Sequence, residues 1–271
     1  MYREQPAPVA LHALLSCTWR QRVDRARTVQ VLPDGCLDLL WNGAELRVAG
    51  PDTRPVREQC APPHGIVGLR FRIGAASPIL GVPASALRDT RTPLVDLWGD
   101  EARRLEAALH AARPANSESS GALERSGARA LLAGAVEARA MRTAAPDPLV
   151  QRLVARLLAH APAPSVAELA RELGVTERLL HRRTVAQVGY GPKLLARILR
   201  LRAFRRALAL APARQLAELA AQHGYADQAH LTHEASELFG TTPGRMQRAA
   251  LSDFDKTRAP LPGQAAAHGN T

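Results

Sequence analysis

Hydrophobic and polar residues alternate with the period of strands between residues 28 and 73. In GIVGLRFRIG, Val67, Leu69, Phe71 and Ile73 take every second position against Gly68, Arg70 and Arg72, which puts one set on a buried face and leaves the other open. TVQVL, CLDLLW and NGAELRVAGP are further short apolar runs punctuated by PDG and NG, so the segment reads as a half-buried antiparallel sheet. From ASALRDTRTPLVDLWGDEARRLEAALHAA onward the apolar spacing lengthens to that of helices, and the RPANSESSGALERSG that follows is small, polar and proline-bearing, the composition of a linker. The pattern predicts a β-rich sensing or dimerisation domain over residues 1–112 and a linker, with room for a helix, over 113–145.

From Pro146 the pattern is helical throughout. Leu149 to Ala159 is amphipathic, APAPS interrupts it, and Ser165 followed by Glu168 makes a capping box for a helix that stops at Gly174. Thr176 caps another helix to about Val188, and Pro192 opens a long one to about Leu210. The sequence then starts over: VAELARELG at 166–174 is matched by LAELAAQHG at 216–224. In each copy a small residue, Ala170 or Ala220, stands four positions before a glycine, Gly174 or Gly224, and another helix follows. The small side chain lets two backbones approach and glycine supplies the positive φ of a tight turn, which is the build of a helix-turn-helix. The long helix between the copies, about 27 Å at roughly 1.5 Å per residue, can hold two recognition helices roughly one DNA turn apart. The expected fold class is α+β: a β-rich N-terminal domain, for which a cupin-like barrel is one form, then an all-α tandem helix-turn-helix domain over 146–250 and a disordered tail over 251–271.

Charge changes the picture by naming a partner class. The net charge is +11, and residues 146–250 hold 15 Arg or Lys against 8 Asp or Glu, whereas residues 1–145 hold 19 against 15. Arg178 to Arg206 contains nine basic residues and no acidic one. A solvated face is the plain alternative, but an acid-free basic tract of this length favours a polyanion. No run of eighteen apolar residues occurs, and the N-terminus does not have the build of a signal peptide. The expectation is a cytoplasmic protein with no membrane partner. Cys17, Cys36 and Cys60 are odd in number and without CxxC spacing, which indicates neither a disulfide framework nor a zinc knuckle.

The stretch HGYADQAHLTHEASELFG, residues 223–240, gathers three histidines. His230 and His233 share a helical face, but HLTHE matches neither HExxH nor HxxEH, and no serine or cysteine there is evident as a nucleophile. No metal, no cofactor and no catalytic residue is expected, and a surface that reads DNA is the better account of the segment.

These residues resemble the AraC-type transcriptional regulators of the AraC/XylS family over about 150–248. TERLLHRRTVAQVGYGPKLLARILRLRAF and LAELAAQHGYADQAHLTHEASELFGTTPGRM hold the likeness, with Phe239, Gly240, Thr242 and Pro243 forming its terminal element, and VLPDGCLDLLW, AGPDT and GLRFRIGAA look like the short β-rich domain of some members. The resemblance implies that Arg178, His181 and Arg182 face base edges from the first recognition helix while Leu179, Leu180 and Ala186 turn inward. On the second helix it implies Gln228 and His233 at bases and Thr232 at a phosphate, with Leu231 and Leu238 packing. The chemistry agrees, since Arg can be bidentate to guanine and Gln to adenine, and hydroxyls suit backbone oxygens. Thr184 and Ala235 stand where the family places a core phenylalanine, and His233 and Ser236 where Arg and Lys are common, so both helices should pack less firmly and the second should bind DNA more weakly.

The expected activity is thus sequence-specific regulation of transcription on double-stranded DNA, without enzymatic chemistry. The β-rich domain is left three roles: capture of a small-molecule effector by Asp38, Arg70 or Arg72, homodimerisation, or, as an alternative of a different class, thiol sensing or small-molecule processing centred on Cys36. RNA polymerase is a further partner if the protein activates.

Overall fold

The computed structural model describes residues 2–23, 25–60, 65–112, 127–159 and 164–258. Among the described residues eight strands fill the first part: β1 (Tyr2–Gln5), β2 (Leu15–Gln21), β3 (Arg27–Val31), β4 (Asp38–Trp41), β5 (Leu46–Ala49), β6 (Val56–Cys60), β7 (Ile66–Phe71) and β8 (Arg91–Pro93). Six of them form an antiparallel sheet in the order β1-β2-β7-β4-β5-β8, and β3 pairs with β6 separately. The alternation read from the sequence sets the inward face: Val67, Leu69 and Phe71 lie beside Leu39, Trp41, Leu46 and Val48, all buried. Ile73 departs from it. The strand ends at Phe71, the chain turns at Gly74 with φ 75°, and Ile73 is buried in the second core instead of the first.

Helices α1 (Ala76–Leu80), α2 (Val95–Trp98), α3 (Asp100–Ala111) and α4 (Ala128–Ala140) close the first core. The expected linker therefore contains an element of the first unit. Leu132 and Val136 of α4 are fully buried against the sheet side. Arg139 ties the helix down by stacking 4.4 Å over Trp98, pairing with Glu101 at 2.7 Å and donating to the Ile79 carbonyl at 2.8 Å. The linker composition is that of RPANSESSGALERSG, which ends where this helix begins. Residues 113–126, the rest of that stretch, lie outside the described residues.

The second part is all helix: α5 (Pro148–Ala159), α6 (Val166–Leu173), α7 (Glu177–Val188), α8 (Pro192–Leu210), α9 (Leu216–Gln222), α10 (Gln228–Phe239) and α11 (Pro243–Arg258). The expected caps are present. Ser165 accepts from the Glu168 amide while the Glu168 carboxylate accepts from the Ser165 amide at 2.8 Å, and Thr176 accepts from the Leu179 amide at 3.2 Å. Gly174 and Gly224 have φ of 70° and 74°, the left-handed conformation that both turns need. Helix α11 runs to Arg258, past the point where a disordered tail was expected, as Ala249, Ala250 and Leu251 are strong helix formers; residues 259–271 lie outside the described residues.

The two parts meet over a shared face. Leu32 and Cys36 of the β-rich part pack on the second core, and Arg202 of α8 donates to the Asp34 carbonyl at 2.6 Å. Gln151 donates to the Ile73 carbonyl at 3.1 Å, Ser77 to the Ala186 carbonyl at 3.2 Å, and Gln30 to the Phe239 carbonyl at 3.3 Å.

Candidate nucleic-acid interface

Each helix-turn-helix presents its second helix, α7 or α10, with an exposed row just past the turn. On α7 the exposed residues are Glu177, Arg178, His181, Arg182 and Arg183, while Leu180, Thr184 and Val188 point into the core. Arg178 and Arg182 are one turn apart on one face. His181 is exposed too, but its ring lies against Gly191, so its edge toward the α7–α8 turn is covered. Arg183 belongs to the scaffold: it pairs at 2.8 Å with Asp147, whose carboxylate also accepts the Leu149 amide and so caps α5. Thr184, standing where the resemblance implies phenylalanine, is fully buried and donates its hydroxyl to the Leu180 carbonyl at 2.7 Å. The polar atom introduced there is satisfied within its own helix.

On α10 the exposed residues are Gln228, Ala229, His230, His233, Ser236 and Glu237, with Thr232 half-exposed. Asp227 caps the helix by accepting the His230 amide at 2.7 Å. The Thr232 hydroxyl donates to the Gln228 carbonyl at 2.8 Å, so its proton is engaged within the helix and is not free for the phosphate the resemblance implies. His230 stacks edge-on to Tyr225 at 5.3 Å, while His233 is 82% exposed and lies 4.0 Å from Glu237. No group of three or more His, Cys, Asp or Glu that could hold a metal occurs among the described residues.

The sequence missed how α10 is held. Glu234, 2% exposed, accepts from Arg197 at 3.0 Å, Arg200 at 2.6 Å and the Tyr225 hydroxyl at 2.9 Å, and Arg200 stacks on Tyr225 at 4.4 Å. Glu237 takes the other side of Arg197 at 2.5 Å. Burial acts to raise the Glu234 carboxyl, but hydrogen bonds from Arg200, Arg197 and Tyr225 outweigh it and hold the group below the usual carboxylate range. The signal was available: Glu234 and Glu237 are three apart on one helix and Arg197 and Arg200 three apart on another, a spacing that matches two helix faces. Ala235, in the other phenylalanine position, is fully buried. Glu234 and Glu237 tie α10 to α8 beside this small residue.

The basic tract is therefore divided. Arg183, Arg197, Arg200 and Arg202 are engaged within the protein, whereas Arg178, Arg182, Lys193, Arg205 and Arg206 are exposed and, among the described residues, pair with no carboxylate. The free charge lies on α7 and along α8, and the exposed face of α10 has no arginine or lysine.

In the β-rich part, Asp38 and Arg70 come together and Arg72 does not join them. Asp38 accepts from Arg70 twice at 3.1 Å and from the Trp19 indole at 3.2 Å, and Arg70 also faces Asp34 at 3.6 Å and Glu4 at 3.7 Å. Arg72, past the end of β7, donates to the His12 carbonyl at 2.6 Å. Burial pushes the Cys36 thiol well above its ordinary value, and Asp34 pushes it further.

Among the described residues no helix is long and apolar enough to cross a membrane. No curated protein matches the chain. Residues 3–93 match a family described as a domain of unknown function (DUF6597). Solved structures similar to the chain include the C-terminal domain of AraT, a response regulator from Geobacillus stearothermophilus, at 20% identity and TM-score 0.36, covering 45% of this chain and 95% of that one. Another is ToxT from Vibrio cholerae, at 10% identity and TM-score 0.43, covering 85% of this chain and 97% of that one. Residues 169–249, which hold both glycine turns and both exposed helices, match a family described as a helix-turn-helix domain. This segment is an AraC-type helix-turn-helix domain, and the chain is a DNA-binding transcriptional regulator with a sheet-rich N-terminal region.

Proposed function

We propose that the chain reads two successive major-groove segments, with α7 supplying most of the attraction and α10 mainly discrimination. The observation that supports this reading is the unequal charge of two otherwise equivalent exposed rows: Arg178 and Arg182 on α7 against Gln228, Thr232 and His233 on α10. Arg182 meets a guanine edge and Gln228 an adenine edge, with Arg178 and His181 beside the first contact. Arg182→Ala should weaken a specific duplex by about 1–3 kcal/mol and spare random DNA, while Lys193→Ala should weaken both alike and flatten the salt dependence. Fluorescence anisotropy with full-length protein on a duplex selected from random sequence measures all three. Equal losses on specific and random DNA for Arg182→Ala would remove it from base reading.

The same reading assigns the β-rich part to an effector, held near Asp38 and Arg70, whose neighbour Asp34 touches α8 through Arg202. It gives the protein no catalytic step and places it with its DNA in the cytoplasm. A thiol sensor at Cys36 is disfavoured, because a thiol raised by burial and by Asp34 holds little thiolate at neutral pH. Native protein at pH 7.5 should leave Cys36 unalkylated by iodoacetamide under conditions that label it fully in urea. Stoichiometric labelling of Cys36 in the native protein would restore the sensor.

A further inference from the structure

The loop Gly50–Pro55, GPDTRP between β5 and β6, plays no part in the reading above, yet it is among the most constrained segments of the molecule. Gly50 donates to the Thr90 carbonyl at 3.0 Å and lies so close to the Leu87 carbonyl that a β-carbon would stand 1.6 Å from its oxygen. Asp52, 6% exposed, receives both terminal nitrogens of Arg91 at 2.9 Å, and Arg91 also donates to Glu58 at 2.6 Å. Thr53 donates its amide and its hydroxyl to Asp89 at 2.7 and 3.0 Å. Asp89 has φ 59°, which no other non-glycine residue shares in sign among the described residues. Backbone strain of this kind persists only where the surroundings enforce it.

What this loop touches gives the rigidity a use. Pro51 packs on Gly189, the C-cap of α7, so tightly that a β-carbon there would stand 2.5 Å from the proline ring. Pro55 packs on Gly240, the C-cap of α10, beside Gln30, which donates to the Phe239 carbonyl. Both recognition helices thus end on one loop, at prolines separated by at most about 14 Å of chain. Ser77 reinforces the first contact, accepting from the Ala84 amide at 3.1 Å and donating to the Ala186 carbonyl of α7.

We propose that the Gly50–Pro55 loop, locked by Asp89 and Arg91, is a brace that fixes the separation of α7 and α10 and thereby sets the half-site spacing the protein accepts. The linking helix α8 already holds α10 through the Arg197 and Arg200 clamp and α7 through the shared core, but each of these attachments is made to α8 separately. A connection that joins the C-terminal ends of both recognition helices, at Gly189 and Gly240, adds a direct constraint on their separation that α8 does not supply. The loop touches no DNA in this arrangement; Asp89, Pro51 and Pro55 act through the helices they position. The proposal rests on the reading in which both helices engage DNA together.

The test uses full-length protein and the selected duplex in three forms: unaltered, with two base pairs added between the half-sites, and with one half-site alone. Wild type should lose about tenfold or more in affinity on insertion, because two base pairs move the second groove segment along and around the duplex by a fifth of a turn. Asp89→Ala, which releases Thr53, should keep single-half-site affinity and lose only about threefold on insertion. Asp89→Asn, which keeps an acceptor and tolerates positive φ, should restore the wild-type penalty. Pro55→Ala, which spares the locked core of the loop, should fall between the two and serves if Asp89→Ala does not fold. Wild-type penalties in Asp89→Ala and Pro55→Ala would show that α8 alone sets the spacing and overturn the brace. A wild type indifferent to the insertion would overturn two-helix reading, and the brace with it.

Discussion

Glu234→Ala is expected to destabilise the protein by about 3 kcal/mol and to cost more DNA affinity on a two-half-site duplex than on the half-site read by α7. The side chain is 2% exposed and is shared by Arg197, Arg200 and the Tyr225 hydroxyl. Its removal leaves two guanidinium groups, each about a quarter exposed or less, without the acceptor that drew them inward. Breaking a fully buried pair costs about 3–5 kcal/mol, and partial solvation of the arginines puts this case at the lower end. Acid should reproduce the effect. The carboxyl is held below its unfolded value, so its contribution is complete above about pH 4.3 and is lost as pH falls through the folded value. Glu234→Gln, which keeps the shape but not the charge, should flatten stability between pH 5 and pH 3 relative to wild type. Urea unfolding at several pH values settles both claims. A Glu234→Gln protein with wild-type stability and unchanged acid sensitivity would mean that the clamp contributes nothing net.

This clamp also shows which parts of the molecule could be read from the chain. Helices α5 to α8 were legible almost residue by residue, because Ser165, Thr176, Gly174 and Pro192 are local devices whose partners lie within four residues. Repetition of Ala-x3-Gly gave the architecture for the same reason. The ionic clamp joins Arg197 to Glu234 and the brace joins Gly50 to Leu87 and Pro51 to Gly189, contacts between distant segments that local pattern does not encode. Asp38 and Arg70 were picked as chemistry-bearing residues and do meet, because β4 and β7 pair in a register that sets them opposite each other. Arg72 was picked with them on the alternation alone, which lapses where β7 ends.

The asymmetry between α7 and α10 follows from the same long-range pairings. A count of basic residues treats Arg178 to Arg206 as one cationic surface, but four of the nine are turned to Asp147, Glu234, Glu237 and the Asp34 carbonyl. Acidic residues absent from the tract itself are thus supplied by Asp147, just before α5, and by α10, and the β-rich part adds a backbone carbonyl. Fewer counterions should be released on DNA binding than the formal charge suggests, so the salt slope reports the exposed arginines and lysine and not the total.

Gly50→Ala is expected to be the most damaging single methyl in the chain, and Gly134→Ala to be mildly beneficial. At Gly50 the added carbon would stand 1.6 Å from the Leu87 carbonyl oxygen and 2.7 Å from its carbon, atoms of backbone that cannot rotate away. Relief requires the Gly50–Pro55 loop and the Leu87–Arg91 segment to part, which would break the Gly50 to Thr90 hydrogen bond and disturb the Asp52–Arg91 and Thr53–Asp89 contacts together. A loss above about 4 kcal/mol is exceptional for one substitution and is reached through such overpacking combined with broken buried networks. Protein that survives the change should have lost the brace, and with it the discrimination between half-site spacings. Gly134 lies in α4, exposed, with nothing within 4 Å of a β-carbon. There alanine removes backbone freedom from the unfolded chain and favours the helix, a gain of about 0.5–1 kcal/mol. Thermal or urea unfolding of the two variants beside wild type supplies the comparison, with soluble yield as the readout if Gly50→Ala does not accumulate. A Gly50→Ala protein within about 1 kcal/mol of wild type would show that the two segments separate readily, and a loop that yields so easily could not hold two helices at a fixed distance.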